Sequence, residues 1–438
     1  MSLLQKNILY QSKKVEKEPL WTDTFIKVCV IAVVSNICFQ ALFSSFPLYL
    51  LQLKMDTVQV GIIASGVSIS MMVTRILSGA LSDTYGRRTI GLLGILVFTL
   101  PFLVFLATKN NLLVAVFRIL QGAGVAAMSI ATAGMAADVL NKSRFNEGIG
   151  YYGLSSAISQ AIGPAIGIFM ISNQQAKGFF KLNVLVCTLS IFMLLTLNYE
   201  KKNRFKLKDH ILKEVDADND MNIDINIDIN IGTNTDTNTD KEDMKQNNKT
   251  SFLWRIFEKK ALNAVVMTMF IIIPVSSIFV FLAPFADAQG IKGVELFFTI
   301  YAICLFISRL LSTWLFTRMS IEMILRIGMV IMAFSFLFLV TLQNTFMLYS
   351  AGVLYGLGGG LCYTVLTILS VERAEPNERG RAFSTYYAAN DLAVGIGAVF
   401  YGYLINFAGY RVAFGTAFII LVIGIIALPM VFKDKKEA

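Results

Sequence analysis

Only one histidine, His210, occurs in 438 residues, and it lies in a polar stretch outside every long apolar segment. A Ser-His-Asp or Cys-His catalytic centre within those segments is therefore excluded. Cysteine is also sparse. Cys29, Cys38, Cys187, Cys304 and Cys362 are odd in number, fall within apolar runs and show no paired metal-ligand spacing. They read as small packing residues rather than a disulfide frame or a zinc site. No glycine-rich phosphate loop followed by lysine is present, so ATP-driven pumping by this chain is not expected. Charge is scarce too: 15% of residues, against about a quarter in soluble domains. No enzymatic activity, metal or cofactor is expected.

What is abundant is apolar surface. Hydrophobic residues make up 55% of the chain and the mean hydropathy is +0.64. One bilayer crossing takes about 20 mostly apolar residues. Such segments recur at 24–51, 58–81, 89–107, 112–140, 148–171 and 179–199, then at 262–286, 294–317, 321–342, 346–371, 382–407 and 412–432. The fold class expected is an all-α membrane protein of twelve spans embedded in a lipid bilayer.

The stretch before Trp21 carries Lys6, Lys13, Lys14 and Lys17 without an apolar core and cleavage site, so it does not read as a secretory signal. With a cytoplasmic start, about 27 Lys and Arg fall in inner segments against about 6 in outer loops, the positive-inside bias. Both termini are then cytoplasmic, in the cell membrane. The net charge of +9 reflects topology, with no localised basic stripe for nucleic acid. Lys27, Arg75, Arg118, Arg309 and Arg326 lie within spans.

An offset of 234 positions superposes Arg75, Leu77, Ser78 and Leu81 on Arg309, Leu311, Ser312 and Leu315. It also places Gly94 on Gly328, Gly122 and Gly124 on Gly356 and Gly358, Asp138 on Glu372, Tyr152 on Tyr386, and Ile162-Gly163 on Ile396-Gly397. Six spans are followed by six equivalents in the same orientation. Parallel repeats of this kind place a solute site near the midplane between halves that rock against each other. The organisation expected is a cytoplasmic segment 1–23, a six-helix bundle 24–200, a linker 201–257, a second bundle 258–433 and a tail 434–438. The linker run DADNDMNIDINIDINIGTNTDTNTDKEDMKQNN cannot support a packed core and reads as a disordered tether. Asp216, Asp218 and Asp220 imitate the start of a calcium loop, but Met221 and Ile227 stand where it needs Gly and Glu.

The second span ends in GALSDTYGRR. Gly79 and Asp83 share a helix face, with Gly79 allowing close helix contact. Gly86 permits a tight turn, Arg87 and Arg88 anchor the loop, and Asp83 is placed to pair with an arginine or a helix N-terminus. This run resembles the signature loop of the major facilitator superfamily, a resemblance that twelve spans, the repeat and the central linker extend over essentially the whole chain. It implies a conformational latch of Gly79, Asp83, Gly86, Arg87, Arg88 and Asp138. In the second half Thr317 replaces the acid and no Gly-Arg-Arg follows, so the first half should dominate.

Arg118, Gln121, Gly122 and Gly124 open span four and are similar to a family motif whose membrane arginine is tied to proton coupling. The alternative is an arginine that snorkels to the outer interface. Gly153, Gly163, Pro164 and Gly167 resemble the glycine-proline motif of drug:proton antiporters, with Ile168 where a final glycine is usual. Small residues there are expected to let spans five and eight approach. Asp391, well inside span eleven, is a second proton-coupling candidate because an intramembrane carboxylate that loads and unloads a proton fits such a place, or it is a structural hydrogen-bonded acid. Asn36, Gln40 and Asn390 are candidates for the solute cavity, with the polar pair of span one alternatively holding neighbouring helices. Arg75 and Arg309 are expected to snorkel or pair between helices rather than touch solute. Phenylalanines and methionines of spans one, four, seven and ten are expected to furnish an apolar cavity wall.

The reading that results is a monomeric, proton-coupled exporter of small amphipathic molecules, drug or metabolite, powered by the proton gradient through rocker-switch alternating access. A transporter specific for a sugar or metal-chelating metabolite is the second reading, and a non-transporting receptor of the same fold the third.

Overall fold

The structure, a computed structural model, describes residues 19–140, 144–197, 262–372 and 379–432. The side chains of Ala80, Asp83, Asn146, Thr313 and 371–384 lie outside that description. So do the linker 201–257, the tail 434–438 and residues 1–18, on which several of the expectations above fall.

Every described regular element is a helix, and twelve are long and apolar enough to cross a membrane. In chain order they are α1 (Asp23–Gln52), α2 (Thr57–Tyr85), α3 (Arg87–Ala107), α4 (Asn111–Val139), α5 (Phe145–Ser172) and α6 (Ala176–Thr196). The second set is α7 (Leu262–Ala288), α8 (Val294–Leu315), α9 (Ile321–Val340), α10 (Thr345–Glu372), α11 (Arg379–Ala408) and α12 (Tyr410–Phe432). Four helix starts of the first half, Arg87, Asn111, Phe145 and Ala176, shift by 234 onto the starts Ile321, Thr345, Arg379 and Tyr410.

Helix is the economical answer in hydrocarbon because it bonds its backbone within one segment. The starts are written locally. Thr22 accepts from the Phe25 amide, Asn110 from those of Leu112 and Leu113, and Ser320 from that of Met323. Asp56 and Gln59 form a reciprocal capping box, with the Gln59 amide 2.7 Å from the Asp56 carboxylate. Gly86 (φ 93°) makes the turn between α2 and α3, a backbone conformation that favours glycine.

α3 shows how two faces are sorted. Leu93, Leu96, Leu100 and Leu103, spaced three or four apart, point outward to the surface a bilayer would cover. Its other face, Gly94, Ile95, Phe98, Phe102 and Phe105, is buried. There α3 meets α4 backbone to backbone: a Cβ on Gly94 would lie 2.9 Å from the Gly124 carbonyl oxygen, and one on Gly124 would lie 2.7 Å from that of Gly94. The repeat makes the same contact between α9 and α10, where Gly328 and Gly358 stand 3.0 and 2.6 Å apart by the same measure. Small residues let membrane helices pack by close approach.

α1 and α12 begin and end at one end of the bundle, here the near end, where residues 19 and 432 lie. The opposite end is the far end. The halves meet through α2 with α11, α5 with α8 and α1 with α7. The contacts that bring them together concentrate toward the far end. Thr57 donates to the Gly402 carbonyl at 3.1 Å, Gly61 lies against the Ala398 backbone, and Thr299 donates to the Ala161 carbonyl at 3.2 Å. Toward the near end, Gly79, Gly150 and Gly153 have open space where a side chain would stand. The structure is closed at its far end and open at its near end.

Gly124→Val is expected to destabilise the first half by about 1–3 kcal/mol through overpacking against α3. Gly150→Ala, which meets no atom, should leave the thermal midpoint in detergent within experimental error of the parent. Equal midpoints for the two variants would refute the backbone contact.

Candidate functional site

Between the halves lies a cavity of about 300 Å³. One wall is aromatic. Phe39 and Phe43 come from α1 and Phe279 from α7, with the Phe43 and Phe279 rings 5.8 Å apart and Tyr301 of α8 meeting Phe279 edge-on at 6.0 Å. The other wall is polar, with Gln40, Gln160, Tyr363, Thr367, Asn390 and Asp391 among its members. Tyr301 donates to Gln160 Oε1 at 3.0 Å, tying α8 to α5 at the cavity.

Charge enters at two points. Arg75 of α2 and Asp391 of α11 form an ion pair across the halves, Nε to Oδ2 at 3.0 Å, with side chains 17% and 11% exposed. The guanidinium also lies over the Tyr387 ring, 5.5 Å from its centre. Neither group snorkels. Arg309 of α8 lines the same cavity from the opposite side of the repeat.

Arg118 is buried at 3% exposure and does not reach the interface. Its Nη1 donates to Gln121 Oε1 at 3.0 Å, Gln121 in turn donates to the Phe98 carbonyl, and the guanidinium sits 5.0 Å from the Phe46 ring centre. The arginine thus fixes α4 to α3 and α1 through neutral partners, and it lines a second, smaller pocket with Val60, Val67 and Val280 near the far-end closure.

At the near end, Arg87 bonds Asp138 Oδ1 at 2.7 Å and the Gly134 carbonyl, both on α4. Arg88 donates to the Leu194 and Leu195 carbonyls at 3.0 and 2.6 Å and so caps the end of α6. These contacts lie within the first half. Asp83 occupies the last turn of α2, its side chain outside the described residues.

A family model described as Major Facilitator Superfamily matches residues 28–333 and 265–438. The chain belongs to the major facilitator superfamily. Among sequence relatives, the uncharacterized MFS-type transporter YvkA of Bacillus subtilis is 30% identical over 30% of this chain and 29% of its own. The quinolone resistance protein NorA of Staphylococcus aureus is 24% identical over 34% of this chain and 39% of its own. These matches span about a third of each relative's length. The solved structure of a D-xylose-proton symporter shares the fold, with a TM-score of 0.69 at 14% identity over 94% of this chain and 98% of that one.

Within this superfamily fold, the glycine-proline run has a different neighbour from the one expected. Gly163 packs on α1, where an added Cβ would lie 2.8 Å from both the Ile37 carbonyl oxygen and the Gln40 side chain. Gly167 lies against Ala41 of α1, with Pro164 between them in the helix. The expected approach of spans five and eight is instead made by Ala161, Gln160, Thr299 and Tyr301. A Cβ on Gly153 or Gly79 would meet no described atom within 4 Å.

Of the cavity candidates, Gln40 and Asn390 line it, whereas Asn36 turns its amide to the Ala32 carbonyl of its own helix at 2.8 Å. The phenylalanines of the wall come from α1 and α7; α4 contributes none of the lining and α10 contributes neither phenylalanine nor methionine to it. Sequence reasoning passed over Gln160, Tyr301, Tyr363 and Tyr386. Their signal is a polar atom carried at mid-span in helices with no solvent to meet it.

The Arg87–Asp138 pair is about 30% exposed on each side. Asp138→Asn is therefore expected to cost no more than about 1 kcal/mol of stability. A thermal midpoint that falls as far as that of Gly124→Val would show that this pair holds the fold rather than adjusting the near end.

Proposed function

We propose that this protein is a proton-coupled secondary transporter that exports small amphipathic molecules by alternating access. In this reading the near end is the cytoplasmic end, which the distribution of Lys and Arg supports. The observation that carries the reading is the Arg75–Asp391 pair, because it joins the two halves at the margin of the cavity between them.

In the near-open form the Asp391 carboxylate pairs with Arg75. Loading a proton on Asp391 removes the carboxylate and leaves Arg75 buried without a counter-charge. Removing one partner of a buried pair costs about 3–5 kcal/mol, a factor of about a hundred to a few thousand in a two-state equilibrium. The protonated protein thus disfavours this form, and the proton leaves to the near side when the pair closes. Solute entering from the near side meets the deprotonated cavity. After the switch, far-side protons reload Asp391, and the cycle exchanges solute for proton. Different affinities in the two forms are what such coupling requires. Support for export comes from the glycine-proline run on α5 and from the likeness to a quinolone resistance protein.

In proteoliposomes with an imposed pH gradient, Asp391→Asn is expected to lower gradient-driven solute transport by about tenfold or more while preserving solute exchange without a gradient. Full gradient-driven transport by that variant would assign the proton to another residue.

Alternating access also requires the far-end seam to part. A double variant, Ala161→Cys with Thr299→Cys, should crosslink α5 to α8 under oxidant and stop turnover, and reductant should restore it. Transport that continued with the crosslink formed would exclude opening along this seam.

A further inference from the structure

The two arginines that the 234-residue offset makes equivalent are not treated alike. Arg75 has Asp391 as its counter-charge. The position that corresponds to Asp391 in the first half is Ala157, a buried apolar residue. Arg309 accordingly faces the cavity with no carboxylate at the matching position of α5, whose one acid, Glu147, bonds Arg144 in the first turn, and the Arg309 side chain makes no hydrogen bond or ion pair with any described residue. Among the described residues, Arg309 and Asp391 are the only charged groups that line the cavity, and Asp391 is already satisfied by Arg75. The three charges leave an excess of one positive charge.

A half-buried guanidinium in a helix bundle needs a partner or water. Its attraction to an anion is strengthened by the low dielectric around it. The uncharged groups of the polar wall suit an acid as well, for Asn390 carries amide hydrogens there, while the Thr367 hydroxyl already donates to the Tyr363 carbonyl. Opposite them stand Phe39, Phe43 and Phe279, which offer ring faces and edges to a flat apolar body. The volume, about 300 Å³, is at the lower end of small-molecule sites and fits one or two fused rings rather than a larger ligand.

We infer that the solute is an amphipathic organic monoanion, an aromatic acid whose carboxylate or sulfonate pairs with Arg309 while its rings lie against the phenylalanine wall. This rests on the reading of the cavity as the solute site. It adds to it the charge of the solute and the residue that selects it. Arg309 supplies the selectivity because the duplicated fold kept the cation and lacks the acid that would neutralise it.

The test is equilibrium binding to the purified protein in a neutral detergent, with no gradient, using three probes of one shape: 1-naphthoate, 1-naphthylmethylammonium and 1-naphthalenemethanol. Naphthoate is expected to bind tightest. Arg309→Gln should weaken naphthoate by about tenfold or more and leave naphthalenemethanol within about twofold, and Arg309→Lys should recover part of the loss. Retained naphthalenemethanol binding certifies that the variant cavity is folded. Naphthylmethylammonium binding as tight as naphthoate, or naphthoate affinity unchanged in Arg309→Gln, overturns the anion assignment and leaves the cavity reading standing. Failure of all three probes to bind overturns both. Because no proton gradient enters the measurement, failure of the Asp391 coupling scheme is read separately.

Discussion

A charge inside hydrocarbon must have a partner, a wet cavity or a route to the interface, and the placement of the charged side chains described within the helices follows from that constraint. Lys27 bonds Asp23 and Arg326 bonds Glu322, each one turn away on its own helix near an end of the bundle. Arg87 and Arg88 reach a carboxylate and helix-terminal carbonyls. Arg118 is dry and uses an amide and a ring face. Among the described residues only Arg75, Asp391 and Arg309 place charge at the cavity between the halves, so its electrostatics reduce to three groups.

Around those charges the protein is built twice from the same contacts. Helix pairs close on glycines because lipid supplies no hydrophobic drive for one helix to leave it for another, so contact must be won by close fit. Gly122 approaches the Val67 backbone and its equivalent Gly356 approaches that of Tyr301, which itself corresponds to Val67. The duplicated rigid bundles then meet along seams whose far-end contacts are also backbone-close. Stiff halves joined by few polar bonds are the arrangement in which a single ion pair is able to bias the relation between them.

The architecture was legible in the sequence because its cause is one-dimensional. Span length follows bilayer thickness, and a repeat at fixed offset is visible in any linear reading; the expected span 321–342 and the helix Ile321–Val340 share a start. The site was less so. Arg75 and Asp391 are 316 positions apart, and no periodicity joins them. Gly163 and Gly167 showed that α5 would approach another helix closely without showing which one, since smallness is a property of the position and the partner is a property of the fold. Asn36 and Gln40 share a helix face, yet only Gln40 lines the cavity, because a membrane asparagine can satisfy its amide on the carbonyl one turn back. The tyrosines of the wall look in sequence like any aromatic residue in a span rich in them.

Duplication explains why the fold is symmetric and the site is not. A glycine that lets two helices touch is needed wherever the contact is repeated, so Gly94 and Gly328 stand in the same role. A charge at the axis between the halves is under no such demand, since one copy is enough to serve both walls of a shared cavity. Asp391 replaces what is Ala157 in the other half, and this single difference turns two equivalent arginines into a pair and a lone cation. The pair joins the halves and the lone cation faces the space between them. In the cycle we propose, coupling and recognition thereby fall to opposite members of one repeat, and Asp391 and Arg309 line one cavity.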